Sequence, residues 1–167
     1  VGAMPLYEHF IDHETGDRIG INWDDESLGL RPLLDDNGRE FLFEVNFNNT
    51  IFNVRPYMVL SHGALIMLFR QADIYYELYP SEPGKVRQMA FLGRTIVEFF
   101  KKIGVAPDLI RLNEPQLFFT LQALENDVEY FENDYFRERK EASLFKDTVL
   151  VTTTHTPEAA ALPCWQV

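Results

Sequence analysis

Apolar and polar positions alternate with a period of two from Phe41 to Phe47. Phe41, Phe43, Val45 and Phe47 share one face and Glu44 and Asn46 the other, which predicts a half-buried β-strand. Asn48-Asn49 follows where a two-residue hairpin turn belongs, because Asn tolerates positive φ. Thr50 to Leu60 predicts the return strand, with Phe52, Val54 and Met58 on its apolar face. Pro56 cannot donate to a ladder, so this strand is expected at a sheet edge or bulged there. Gly63 opens a third run, Ala64 to Phe69, whose unbroken apolar character predicts a strand buried on both faces.

The period then changes. Asp73 to Tyr79, with Pro80, Pro83 and Gly84, reads as a loop. Val86, Met89, Ala90, Gly93, Ile96, Val97 and Phe100 recur at helical spacing. Lys101 and Lys102 complement the negative end of that helix, and Gly104 suits the position just past it. Leu109 to Leu112 predicts a short strand. Pro115 then sits in the first turn of a helix carrying Leu117, Leu121 and Leu124. Charged residues interleaved with aromatics predict a second helix across 126–147, and β-branched residues predict a strand from Thr148 to Thr153. Residues 1–37 carry only turn signals at Thr15-Gly16, Leu28-Gly29 and Asp35-Asp36-Asn37-Gly38, and read as irregular.

The chain is therefore expected to form a single α/β domain over 1–167. An irregular segment, 1–37, precedes antiparallel strands in 38–70. Residues 71–167 form a partial Rossmann-like part with a parallel sheet and crossover helices. The length of 167 residues fits one such unit.

Charge and composition narrow the function. Hydrophobic residues make up 46% of the chain, which excludes global disorder. The net charge of -11 repels a phosphate backbone and anionic membrane surfaces, so neither nucleic acid nor membrane is an expected partner. A neutral sugar is indifferent to that field. The one cysteine, Cys164, permits no intramolecular disulfide and suits a reducing, cytoplasmic setting. The opening Val1-Gly2-Ala3-Met4-Pro5 lacks the basic and apolar regions of a signal peptide.

In open α/β sheets, ligands gather beyond the carboxyl ends of the strands. Asn113-Glu114-Pro115-Gln116 follows one predicted strand and Thr154-His155-Thr156-Pro157 another, and both are dense in the donors and acceptors that buried sugar hydroxyls need. Each also has a plainer reading. Asn-Glu-Pro before a helix is an ordinary N-cap, and His155 can be a structural histidine. Elsewhere, His9, Asp12, His13 and Glu14 crowd one stretch without metal-ligand spacing and read as a solvated turn. Asp24-Asp25-Glu26 and Asp35-Asp36 lack the ligand alternation of a calcium loop.

Four stretches resemble the α-glucan (glycogen or maltodextrin) phosphorylase family. They are Leu78-Tyr79-Pro80 with Gly84 to Gln88, Leu92-Gly93 with the helix to Gly104, Leu109 to Glu114, and Val151-Thr152-Thr153-Thr154-His155-Thr156-Pro157. Ala161-Leu162 and Trp165 continue the last. The likeness covers most of residues 40–167. It implies the N-terminal domain of a GT-B glycosyltransferase that cleaves α-1,4-glucan with phosphate to glucose 1-phosphate, using pyridoxal phosphate. By the same resemblance His155 would touch the transferred glucosyl unit, and Asn113, Glu114, Gln116 and Thr156 would line the sugar site. The cofactor lysine and the phosphate-binding cations would belong to a C-terminal GT-B domain, so this chain alone is expected to hold no cofactor and to be inactive.

Two departures from that pattern stand out: Gln116 replaces the usual histidine, and the active-site loop at 81–84 is short and lacks its asparagines. Both suit an alternative, a non-catalytic carbohydrate-binding or regulatory module derived from such a domain. A sugar-nucleotide GT-B enzyme is a third reading. A domain lacking its partner half also leaves apolar surface through which copies can associate.

Overall fold

The computed structural model describes residues 2–12, 14–61, 63–78, 81–113, 118–127 and 144–153. Two compact units divide the chain, Val1–Phe91 and Leu92–Val167. The division falls inside a helix, not at the loop that begins at residue 71.

The first unit is built on a five-stranded sheet. Its strands are β1 (Gly2–Leu6), β4 (Arg31–Pro32), β5 (Phe43–Phe47), β6 (Thr50–Ser61) and β7 (Ala64–Arg70). The path runs β1-β7-β6-β4, with β5 also on β6. The β5–β6 hairpin forms as its pattern predicts. Phe43 and Val45 are buried while Glu44 and Asn46 are exposed. Asn48 and Asn49 take φ of 51° and 60°, the two positive values that a right-twisted two-residue turn demands.

Three expectations need correction here. The segment 1–37 is not irregular. It supplies β1, parallel to β7 from Gly2↔Ile66 to Leu6↔Arg70, and β4. It also supplies a separate hairpin of β2 (His9–Ile11) and β3 (Arg18–Gly20). Secondly, β7 is not buried on both faces: Met67 and Phe69 are buried, Ile66 and Leu68 only partly, and Leu65 is exposed.

Thirdly, Pro56 lies neither at an edge nor in a bulge but fully buried in the central strand. On one flank β6 pairs with β7. Along the other, β5 pairs as far as Val54 and β4 begins at Tyr57. Pro56 occupies the seam. Its carbonyl accepts the Leu33 N–H (2.9 Å), and the Leu33 carbonyl, which a residue with an N–H at 56 would have addressed, accepts the Phe41 N–H instead (2.7 Å). The missing donor is thus left without a partner to disappoint.

Helix α1 (Glu82–Ile103) begins earlier than its apolar period suggests. Pro83 and Gly84 fall in its first turn, where N–H groups have no intrahelical acceptor and proline is tolerated. Within the first unit, Phe91 receives the ring edges of Phe47, Phe52 and Tyr75 at centroid distances of 5.4, 5.4 and 5.8 Å. The buried Gln88 amide donates to the carbonyls of Ile74 and Glu77, both at 3.0 Å.

The second unit holds the rest of α1, β8 (Leu109–Asn113), α2 (Phe118–Asp127) and β9 (Val149–Thr153). Lys101 and Lys102 lie in the last turn of α1. Gly104 has φ 68°, its N–H donates to Lys101 O, and the Val105 N–H donates to Phe100 O. That pair of bonds is the Schellman cap that a glycine at this position permits. Val97, Ala123 and Phe145 form a buried cluster flanked by Phe100, Leu124 and Leu144. Most of the helix expected over 126–147 lies outside the described residues; Leu144 to Asp147 form a turn.

Candidate functional site

Strands β8 and β9 form a two-stranded parallel sheet, with every residue from Leu109↔Val149 to Asn113↔Thr153 in register. Parallel pairing follows from the sequence order, because a helical connection separates the two strands. The amino end of β9 is tied down twice. The Thr148 hydroxyl donates to Pro107 O (2.8 Å), and the Val149 N–H donates to Asp108 O (2.9 Å). Register set at that end carries through to the carboxyl end.

There Asn113 and Thr153 are opposite partners, the last rung of the ladder. The chain continues from one into Glu114-Pro115-Gln116 and from the other into Thr154-His155-Thr156. Of the sequence-derived site residues, Asn113 is thus placed at a strand end. Glu114, Gln116, His155 and Thr156 lie outside the described residues, as do Cys164 and Trp165.

The crowded N-terminal stretch is a turn. Asp12 Oδ1 accepts the N–H groups of Glu14 (2.7 Å) and Thr15 (3.1 Å), and His9 Nδ1 lies 2.9 Å from Tyr76 O. Among the described residues no cluster of His, Cys, Asp or Glu has the geometry to hold a metal ion. The acidic turns likewise spend their carboxylates on backbone N–H groups: Asp25 on Ser27 (2.8 Å), and Asp35 on Asn37 and Arg39 (both 2.9 Å).

Pyridoxal phosphate needs a sheltered lysine to hold it. Lys85, Lys101, Lys102 and Lys146 are all partly or fully exposed, so the described lysines do not fit that group. No described helix is long and apolar enough to cross a membrane.

No family model matches the chain, and no curated protein matches it. A solved structure does: the catalytic domain of starch synthase IV from Arabidopsis thaliana bound to ADP and acarbose, with a TM-score of 0.54 at 15% sequence identity. The likeness covers 76% of this chain and 23% of that one. The chain is a mixed α/β fold with parallel strand pairs, similar in fold to part of that catalytic domain. An open α/β sheet presents its ligand-binding crevice at the carboxyl ends of parallel strands, and the Asn113–Thr153 rung lies at such an end. The apolar and β-branched runs of the sequence located both strands. The parallel β1–β7 contact escaped such a reading, because Gly-Ala-Met-Pro-Leu shows no alternation.

Proposed function

We propose that this chain forms part of the glucosyl-binding cleft of an α-glucan phosphorylase-type glycosyltransferase. The observation that carries the reading is the Asn113–Thr153 rung. Two polar segments, Asn113-Glu114-Pro115-Gln116 and Thr154-His155-Thr156, follow the carboxyl ends of adjacent parallel strands. In this reading Asn113, Glu114, Gln116 and Thr156 bond sugar hydroxyls, and His155 contacts the glucosyl unit being transferred. The neighbour in fold is a carbohydrate-active catalytic domain with acarbose bound, which supports a saccharide ligand.

Phosphorolysis brings an anionic phosphate nucleophile into the site and needs cations to hold it. With a net charge of -11 this chain is a poor source. The proposal therefore assigns the phosphate site and pyridoxal phosphate to a C-terminal GT-B domain. The test is glucose 1-phosphate release from maltoheptaose and phosphate by the polypeptide joined to that domain. His155→Ala should lower turnover by about 10²- to 10³-fold, the usual effect of losing a positioned polar contact in a transition state. Unchanged turnover would remove His155 from the site.

One observation favours a second reading, a saccharide-binding module without catalysis. Glu82, Pro83 and Gly84 form the first turn of α1, so the stretch that resembles an active-site loop is largely taken up by helix. In that case the joined protein binds maltoheptaose but releases no glucose 1-phosphate. Titration with ADP-glucose separates both readings from a sugar-nucleotide enzyme.

A further inference from the structure

The first unit contains a half-open cavity of about 480 Å³, lined by Trp23, Asp24, Asp25, Arg31, Glu40 and Tyr57 among others. We propose that this cavity is a binding site for a short neutral saccharide, separate in sequence from the strand-end segments. It stands whether or not the cleft reading holds.

The charge inventory selects the ligand. Asp25 is committed to the Ser27 N–H (2.8 Å) and Glu40 to Arg55 (3.1 Å). The side chains of Asp24 and Arg31 have no hydrogen-bond or ion-pair partner among the described residues. Beside this free carboxylate and free guanidinium, Asp25 keeps its charge and Glu40 is balanced by Arg55, so the lining is net negative and repels an anion. A polyol gains from both free groups, since its hydroxyls donate to a carboxylate and accept from a guanidinium, and charge-assisted bonds are the strong ones. Trp23 adds a flat apolar surface against which the C–H face of a pyranose can lie.

The site is also held in shape. The Trp23 indole N–H donates to Tyr7 O (2.9 Å), which fixes the ring. The Tyr57 hydroxyl lies 3.5 Å from Arg70 Nη1, and Arg70 grips Glu8 through two bonds of 2.8 and 3.1 Å. Those bonds hold the Arg70 charge well above the usual guanidinium range, Glu8 contributing most. Preformed walls lower the ordering cost of binding. The volume falls within the range of about 300–1,000 Å³ common to small-molecule sites.

The experiment is a ¹H–¹⁵N titration of the 167-residue chain with maltotriose, cellotriose, glycine and inorganic phosphate in separate arms. The indole N–H of Trp23 and the amides of Asp24 and Arg31 should shift saturably with a saccharide. Asp24→Asn and Arg31→Gln should each weaken that binding by about fivefold or more, the loss of one bond to a charged group. Both positions are exposed, so the variants keep the fold, which the remaining amide shifts report. His155→Ala should leave the Trp23 titration unchanged even where it abolishes phosphorolysis, which separates failure of one proposal from failure of the other. Absence of a saturable Trp23 shift with either saccharide overturns the inference. So does a response to glycine or phosphate alone, or an affinity that ignores both variants.

Discussion

Gly93 in α1 lies against the backbone of Phe119 in α2: a Cβ built on Gly93 would sit 2.6 Å from the Phe119 carbonyl carbon and 2.7 Å from its oxygen. Thr120 N would be equally close, at 2.6 Å. The neighbour is main chain and cannot swing aside. Alanine is the better helix former by about 1 kcal/mol, but overpacking a tight contact costs about 1–3 kcal/mol. Gly93→Ala should therefore lower stability by up to about 2 kcal/mol net, read as an earlier urea midpoint with an unchanged slope.

The Asn48-Asn49 turn makes a second prediction. Both residues hold positive φ, which costs a β-branched residue about 1–2 kcal/mol. Asn49→Val should destabilise the chain by that order, whereas Asn49→Gly should be neutral or stabilising. Thermal unfolding of the two variants checks the difference in sign.

Acid should loosen the turn that follows β4. The backbone N–H of Arg39, foremost, and then the Asn37 N–H and the Arg39 side chain hold the Asp35 carboxyl below its ordinary range. A group depressed in the folded state contributes stability above its unfolded pKa, and that contribution disappears as pH falls through the folded value. The loss should set in below about pH 4, the ordinary range of an aspartate. Asp35→Asn should flatten this part of the acid limb in a stability-against-pH series while leaving the neutral-pH slope alone. Asp25, lowered by its bonds to Ser27, carries the same sign.

At the strand ends, Asn113→Ala should weaken maltooligosaccharide binding by about fivefold to tenfold, the loss of one sugar hydrogen bond. The far-ultraviolet circular dichroism should not change. Thr148→Val should do the reverse, removing the 2.8 Å bond to Pro107 O and costing about 1 kcal/mol of stability. Calorimetric titration beside urea unfolding distinguishes a ligand contact from a structural tie.

The sequence made legible whatever followed a period or a residue-type preference. The β5–β6 alternation and the stripe of α1 came from spacing, and the Asn-Asn turn, the Lys-Lys-Ile-Gly ending and strands β8 and β9 from residue type. The missed elements lack such a signal. β3 is three exposed residues, and β1 is fixed by a partner sixty-odd positions away in the chain. The α1 start was hidden by Pro83-Gly84, which reads as a breaker unless the first turn is known to spare its N–H groups. Of the candidate site, the parallel pairing could be inferred, since the chain order of β8, α2 and β9 favours it; the register could not. The free Asp24 and Arg31 could not, because which charges are already engaged depends on neighbours distant in sequence.

Pro56 has a consequence for strand slippage. A one-residue shift of β4 or β5 along β6 would ask position 56 for a donor that an imino acid does not own. Two neighbours can therefore line up end to end on one flank without either creeping into the other's place. The excursion between them, residues 33–42, is free to lengthen or shorten over generations while both alignments stay locked.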